Sequence, residues 1–357
     1  MIHFQHDQEG ATLRATDFKP KFDKYIRKKE NLKDDELLRY QLKIRALDAP
    51  DICEPNKKDG LFFGNLGGSA QKKKELKNNL IELKFNTYFN HSIAKKITNS
   101  FHEFLACENF GSRSNKGYGS FFDASKRRED FESFLKSTVA PSSVYFWEYH
   151  FNCECQFNDI FFSIKTFYML LKSGINYPSF RRNPGTYYKS LLFLYMKNKG
   201  ITWDKKAVKS HFLPRERSHK FETTTKQFVR GLFGVSEIQS WRSYRKTLKV
   251  SSTDKTIDRV PSPVMFKVFV DDRNKAYVYF YIKPLESEIF GKKFTFEMNI
   301  HKPPLKLTTP SQFDGEDYIA WVVNEINTQL KINTGRGRAH RADNILNNLQ
   351  QQKIKRL

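Results

Sequence analysis

The sequence predicts an α+β fold of two ferredoxin-like, RRM-like βαββαβ units, the second carrying a helical insertion, and three observations point there. Over the first 125 residues the hydrophobic period switches between two and 3.6 in the order strand, helix, strand, strand, helix, strand. A strand-led pattern begins again at Ser143. A loop rich in glycine and cations follows the last helix of each half: GSRSNKGYGS at Gly111–Ser120 and NTGRGRAHR at Asn333–Arg341. The units are expected at 1–125 and 126–357.

In chain order, Met1–Gln5 reads as a short strand. Thr16 or Asp17 is the expected N-cap of a helix with Pro20 in its first turn and Phe22, Tyr25 and Ile26 at helical spacing. Arg14, Lys19 and Lys21 cluster at that helix start, where cations oppose the helix dipole unless an anion sits there. Tyr40–Ala46 alternates as a strand. Residues 47–78 hold Pro50, Pro55, Gly60, Gly64, Gly67 and Gly68 with no period of their own, which reads as a long mobile insertion with an apolar tip at Leu61–Phe63. Leu80–Phe89 follows as a strand with Ile81, Leu83, Phe85, Thr87 and Phe89 on one face. His91–Phe104 is a helix with Ile93, Ile97, Phe101 and Phe104 inward, and Ser120–Asp123 is expected to close the unit as its last strand.

The second half reads as a helix over Lys126–Val139, a strand over Ser143–Phe151 and a buried helix over Phe157–Lys172. A helix-rich insertion with cationic flanks spans 176–244. A hairpin of Val264–Val270 and Tyr277–Lys283 comes next, then a strand at Lys293–Ile300 and a helix at Glu316–Leu330 with Ile319, Val322, Val323 and Ile326 inward. From Asn344 the chain is polar and basic, and a frayed tail is expected.

Charge sets the function class. The 62 Lys+Arg against 39 Asp+Glu leave a net +23 spread along the whole chain, so a basic binding surface is expected, with nucleic acid the default partner. Most of the 33 Phe belong in cores. The four cysteines are too few and irregular for a disulfide framework, which fits a reducing cytoplasm. The N-terminus lacks a secretory apolar run, and Ile160–Leu171 is too short and too interrupted to span a bilayer. His150 with Cys153 and Cys155 does not make a tetrahedral set, and no P-loop or Rossmann fingerprint occurs, so no metal or cofactor is expected.

The first glycine loop is the main candidate site. Gly111, Gly117 and Gly119 let backbone approach a phosphate, Arg113 and Lys116 supply charge, and Tyr118 offers a face to a base. The same glycines also suit a plain hairpin turn. Arg336 and Arg338 occupy the corresponding loop of the second half.

Three stretches carry a resemblance: TLRATDFKPKFDKYI near the N-terminus, the glycine loop, and DRVPSPVMFKVFV with Arg259, Ser262 and Pro263. Together they resemble the RAMP superfamily of CRISPR-associated RNA-binding proteins, with Lys19-Pro20 standing where Lys-Gly is usual. The last stretch looks like the Arg-x-x-Ser-Pro segment of the two-domain Cmr-type subunit of type III effector complexes. The resemblance implies binding of guide RNA (crRNA), or of the guide paired to target RNA, alongside other effector-complex subunits in antiviral defence. A non-catalytic RNA-binding subunit is the expected reading. The alternative is a metal-independent repeat-RNA endoribonuclease, for which His3, His6 and His91 are the candidate bases. Separately, the resemblance implies an acidic loop residue supporting target cleavage in certain backbone subunits of the family, for which Asp48 and Asp51 in the insertion are the candidates by position.

Overall fold

The computed structural model describes residues 2–5, 13–33, 35–47, 51–53, 73–77, 80–111, 113–150, 157–177, 185–201, 203–213, 227–235, 237–241, 245–254, 257, 260–271, 275–328 and 340–357. It is mixed α+β, with helices and several small, mainly antiparallel sheets. The chain divides into two compact units, Met1–Phe162 with Phe266–Phe280 and Leu357, and Ser163–Met265 with Tyr281–Arg356. The boundary expected at 125/126 falls inside the first of these.

In the first unit, β1 (Ile2–Gln5) precedes α1 (Ala15–Glu30), which buries Phe18, Phe22 and Ile26, one per turn. The helix starts earlier than expected: Arg14 is its N-cap, and no side chain caps it. Pro20 therefore lies in the second turn, where its missing N–H leaves the Thr16 carbonyl without its helical donor. β2 (Gln41–Ala46) and β5 (Ile81–Asn86) pair antiparallel, with Leu42 opposite Phe85 and Ile44 opposite Leu83. These four side chains pack on the core formed by α1 and α2 (His91–Cys107). Rings of Phe18, Phe22, Phe85, Phe101, Phe104 and Phe110 meet there, with centroids from 4.9 Å for Phe22 and Phe104 to 6.4 Å for Phe18 and Phe85. Edge-on and offset contacts of this kind fill a core densely, and these rings account for six of the 33 phenylalanines.

Three expectations change here. β1 pairs with β4 (Lys73–Lys77), which also pairs with β3 (Asp51–Cys53). The insertion thus holds strands of its own, while its apolar tip lies outside the described residues. The closing strand at Ser120–Asp123 is reduced to one bridge between Asn109 and Ser120. Side chains make the link to β11 instead of a strand ladder: the Ser120 hydroxyl accepts the Val268 N–H at 3.1 Å, and the Lys267 ammonium donates to Phe121 O at 3.4 Å. β5 stops at Asn86, because the Asn86 side chain accepts the Tyr88 N–H at 3.1 Å and turns the chain. Phe89, expected inward, is 95% exposed.

α3 (Arg128–Val139) and β6 (Tyr145–His150) fall where the sequence put them. β6 pairs antiparallel with β12 (Lys275–Ile282), and β11 (Val264–Val270) lies on the other edge of β12. Phe131 of α3 packs on Phe269 and Tyr279 with centroids 5.2 and 5.3 Å away.

In the second unit, α4 (Phe157–Lys172) leads to a two-stranded ribbon of β7 (Ile175–Tyr177) and β8 (Thr186–Tyr188). The region expected to be helical then supplies α5 (Leu191–Asn198), α6 (Asp204–Phe212), a 3-10 turn at Val229–Phe233 and β9 (Ile238–Trp241). Strands β9, β10 (Lys246–Ser252), β13 (Lys293–Met298) and β14 (Leu305–Thr308) form one sheet in the order β14-β13-β10-β9. Alternation buries Leu248, Val250, Phe294, Phe296, Leu305 and Leu307. Asp204 and Arg230 are buried together, Nη2 to Oδ2 at 2.6 Å. α7 (Gly315–Asn327) buries Tyr318, Ile319, Val322, Val323 and Ile326, and the Tyr318 hydroxyl donates to Leu171 O at 2.7 Å.

The expected frayed tail is an ordered helix, α8 (His340–Gln352). Leu346, Leu349 and Ile354 are buried, and the Asn327 side chain both donates to Ile354 O at 2.9 Å and accepts the Ile354 N–H at 2.8 Å. Three apolar residues in a polar tail suffice once a neighbour closes over them. Among the described residues no helix is long and apolar enough to cross a membrane.

Candidate nucleic-acid interface

The glycine loop grows from the C-terminus of α2. Asn109 is fully buried and acts as its hub: Nδ2 donates to Ser114 O at 2.6 Å and Phe266 O at 2.8 Å, and Oδ1 accepts from the Ser120 hydroxyl at 2.9 Å. Phe266 N–H donates back to Asn115 O at 3.1 Å, and Lys116 forms a bridge with Phe266. The loop is therefore stitched to β11 rather than hanging from the surface.

Its glycines divide by role. A Cβ at Gly119, whose φ is +67°, would stand 1.8 Å from the Phe110 carbonyl oxygen, so only glycine fits there. Gly117 and Gly119 are buried, whereas Gly111 is exposed and Arg113, itself at φ +58°, is half-buried. Lys116 is half-buried as well, so Gly111, Arg113 and Lys116 all keep some exposed surface. Tyr118, expected to offer a face to a base, stacks on Phe161 with centroids 4.1 Å apart, so that face is taken inside the unit.

The second turn of α1 lies beside the loop's root. Lys21 Nζ donates to Asn109 O at 2.9 Å and sits 3.8 Å from Glu108. Arg14 is exposed at the helix start. Lys19 turns inward: it pairs with Asp23 at 2.7 Å and lies 3.9 Å over the Tyr40 ring, whose hydroxyl donates to the same carboxylate at 2.6 Å. Burial and that hydrogen bond push the Tyr40 phenol well above its ordinary range. A phosphate reaching Lys19 would compete with Asp23.

Arg259, Arg336, Arg338, His6 and Asp48 lie outside the described residues. His3 is on β1 opposite Glu75, Asp51 on β3, and His91 is exposed at the start of α2. In the second unit, the segment after Arg259 lies against Gly234: Val235 N–H donates to Val260 O at 3.1 Å, and a Cβ on Gly234 would meet the Ser262 nitrogen at 3.2 Å.

Lys267 escaped sequence reasoning. It is fully buried and donates to Leu105 O at 2.7 Å and Glu108 O at 2.8 Å, carbonyls left open at the end of α2, where a cation also suits the helix dipole. The available signal was a single lysine inside the apolar run VMFKVFV. Such a residue on a buried strand must meet acceptors.

Two family models cover nearly the whole chain. The Cmr1 N-terminal domain matches residues 1–42 and 27–175, and the Cmr1 C-terminal domain matches residues 187–351. No curated protein and no solved structure gives a significant match. With both domains matched in order, the chain belongs to the Cmr1 family, the two-domain RAMP-type subunit of type III CRISPR effector complexes.

Proposed function

We propose that this subunit grips the guide RNA of its complex, or the guide–target duplex, through the phosphate backbone, with Arg14, Lys21 and the Gly111–Arg113 end of the loop as the contact surface. The observation that carries this reading is the Lys21 link to Asn109, which ties α1 and its cations to the root of the glycine loop. Family membership and the net charge of +23 support it. We read α1, β2, β5 and α2 as the helix–strand–strand–helix centre of a ferredoxin-like unit, the frame that presents the loop.

A backbone grip is electrostatic, so affinity falls about tenfold or more between ~50 and ~200 mM salt. The test is to incubate the purified chain with repeat-containing RNA in EDTA and to follow both binding and strand length. Tight, salt-sensitive binding with the RNA left whole is expected. Specific cleavage that disappears in a His3→Ala or His6→Ala variant would replace this reading with a metal-independent endoribonuclease. Binding insensitive to salt would refute the backbone grip.

A further inference from the structure

The turn between β5 and α2 places two aromatic residues where the backbone least favours them. Asn90 N–H donates to Thr87 O at 3.0 Å, closing a turn whose central residues, Tyr88 and Phe89, have φ of +51° and +64°. Turns with both central φ positive are ordinarily built from Asn-Gly, because a Cβ is strained there and a bulky side chain more so. Burial is the usual compensation for a misplaced aromatic. It is missing here, since Tyr88 is 55% and Phe89 95% exposed. The turn is nonetheless held from both sides: Asn86 Oδ1 accepts the Tyr88 N–H at 3.1 Å, and Asn90 Oδ1 accepts the Ile93 N–H at 3.1 Å.

The ribbon that carries this turn is basic on its outer face. Gln41, Lys43, Arg45, Lys84 and Asn86 are exposed, and Lys43 stands directly opposite Lys84 in the antiparallel register. Like charges facing each other across a strand pair destabilise it, and an anion relieves the repulsion. Arg45 already has a partner in Glu82 at 2.7 Å. Glu82 is the only acidic residue between positions 80 and 100, whereas His91 and Lys95 follow the turn and are exposed. Lys84 lies on the same strand, two residues before Asn86, whose side chain holds the turn.

We propose that Tyr88 and Phe89 form a stacking platform for an unpaired nucleobase, with Lys43 and Lys84 taking the adjoining phosphates. Exposed rings interleaved with cations are the chemistry of sequence-tolerant single-strand binding. A site of this kind separates single-stranded RNA from duplex, because only an unpaired base offers its face. The inference rests on the RNA-binding reading above and adds to it a preference for an unpaired segment.

The double variant Tyr88→Asn, Phe89→Gly tests it, because it installs the residues the turn favours and so folds at least as well as the parent, which a melting temperature checks. Oligouridine carrying 5-iodouridine is expected to photocrosslink to Tyr88 or Phe89 in the parent chain. The variant is expected to bind that single strand about fivefold or more weakly while binding an RNA duplex of the same length as the parent does. Unchanged single-strand affinity, with crosslinks elsewhere, overturns the platform and leaves backbone binding standing. A parent chain that binds no RNA overturns both. Unchanged RNA affinity with loss of copurifying effector subunits overturns the platform in favour of a protein interface.

Discussion

The first unit contains two bends with positive φ that contrast in almost every respect. The loop at Gly111–Ser120 is full of glycine, yet it is fixed by Asn109, Ser120 and β11, and its aromatic residue stacks inside the unit. The turn at Thr87–Asn90 has no glycine, yet both of its aromatics face solvent. Glycine marks where a backbone must bend or pack closely. By itself it does not mark where a ligand sits. A bulky residue in a glycine conformation, with no burial to explain it, points more directly to an outside partner.

The largest expected effect breaks the first bend. Gly119→Ala drives a Cβ into the Phe110 carbonyl and should cost about 3 kcal/mol or more in chemical unfolding. Gly291→Ala is the control: its φ is +67° but nothing lies within 4 Å of the added carbon, so only the backbone strain of about 1 kcal/mol remains. Equal costs at the two sites would mean that the close approach at Gly119 has no consequence. Next comes Lys267→Met, which keeps the apolar stem and removes the ammonium from Leu105 O and Glu108 O; about 2–3 kcal/mol of stability should be lost. The second bend should respond with the opposite sign. Tyr88→Asn with Phe89→Gly relieves strain and should raise stability by about 1–2 kcal/mol; a drop would mean that the rings stabilise the free chain.

Much of the fold was legible because local periodicity and burial agree. α2, α3, α4, β6, β11 and α7 lie close to where apolar spacing put them. What failed depended on partners far away in sequence. Ser120–Asp123 has strand-like side chains, but its links run to residues about 150 positions on, Lys267 at Phe121 O and Val268 at the Ser120 hydroxyl, rather than through a ladder. α8 looks polar until Leu346, Leu349 and Ile354 meet their cover. Phe89 continued a clean alternation from Ile81, and only the Asn86 side chain, competing for the Tyr88 N–H, ends the strand before it. At the candidate site the cations were legible as a cluster. The division between Lys19, held by Asp23, and Lys21, reaching the loop's root, was not, because it rests on tertiary geometry.

The central claim, a phosphate grip by the start of α1 and the glycine loop, is tested most directly by the salt dependence of single-stranded RNA affinity in the parent and in an Arg14→Ala, Lys21→Ala, Arg113→Ala variant. The parent should show a steep fall of log K with log salt, and the variant a slope shallower by about 2, the equivalent of three lost phosphate contacts. A variant that keeps the parent's slope would contradict the claim and move the RNA to another surface of the chain.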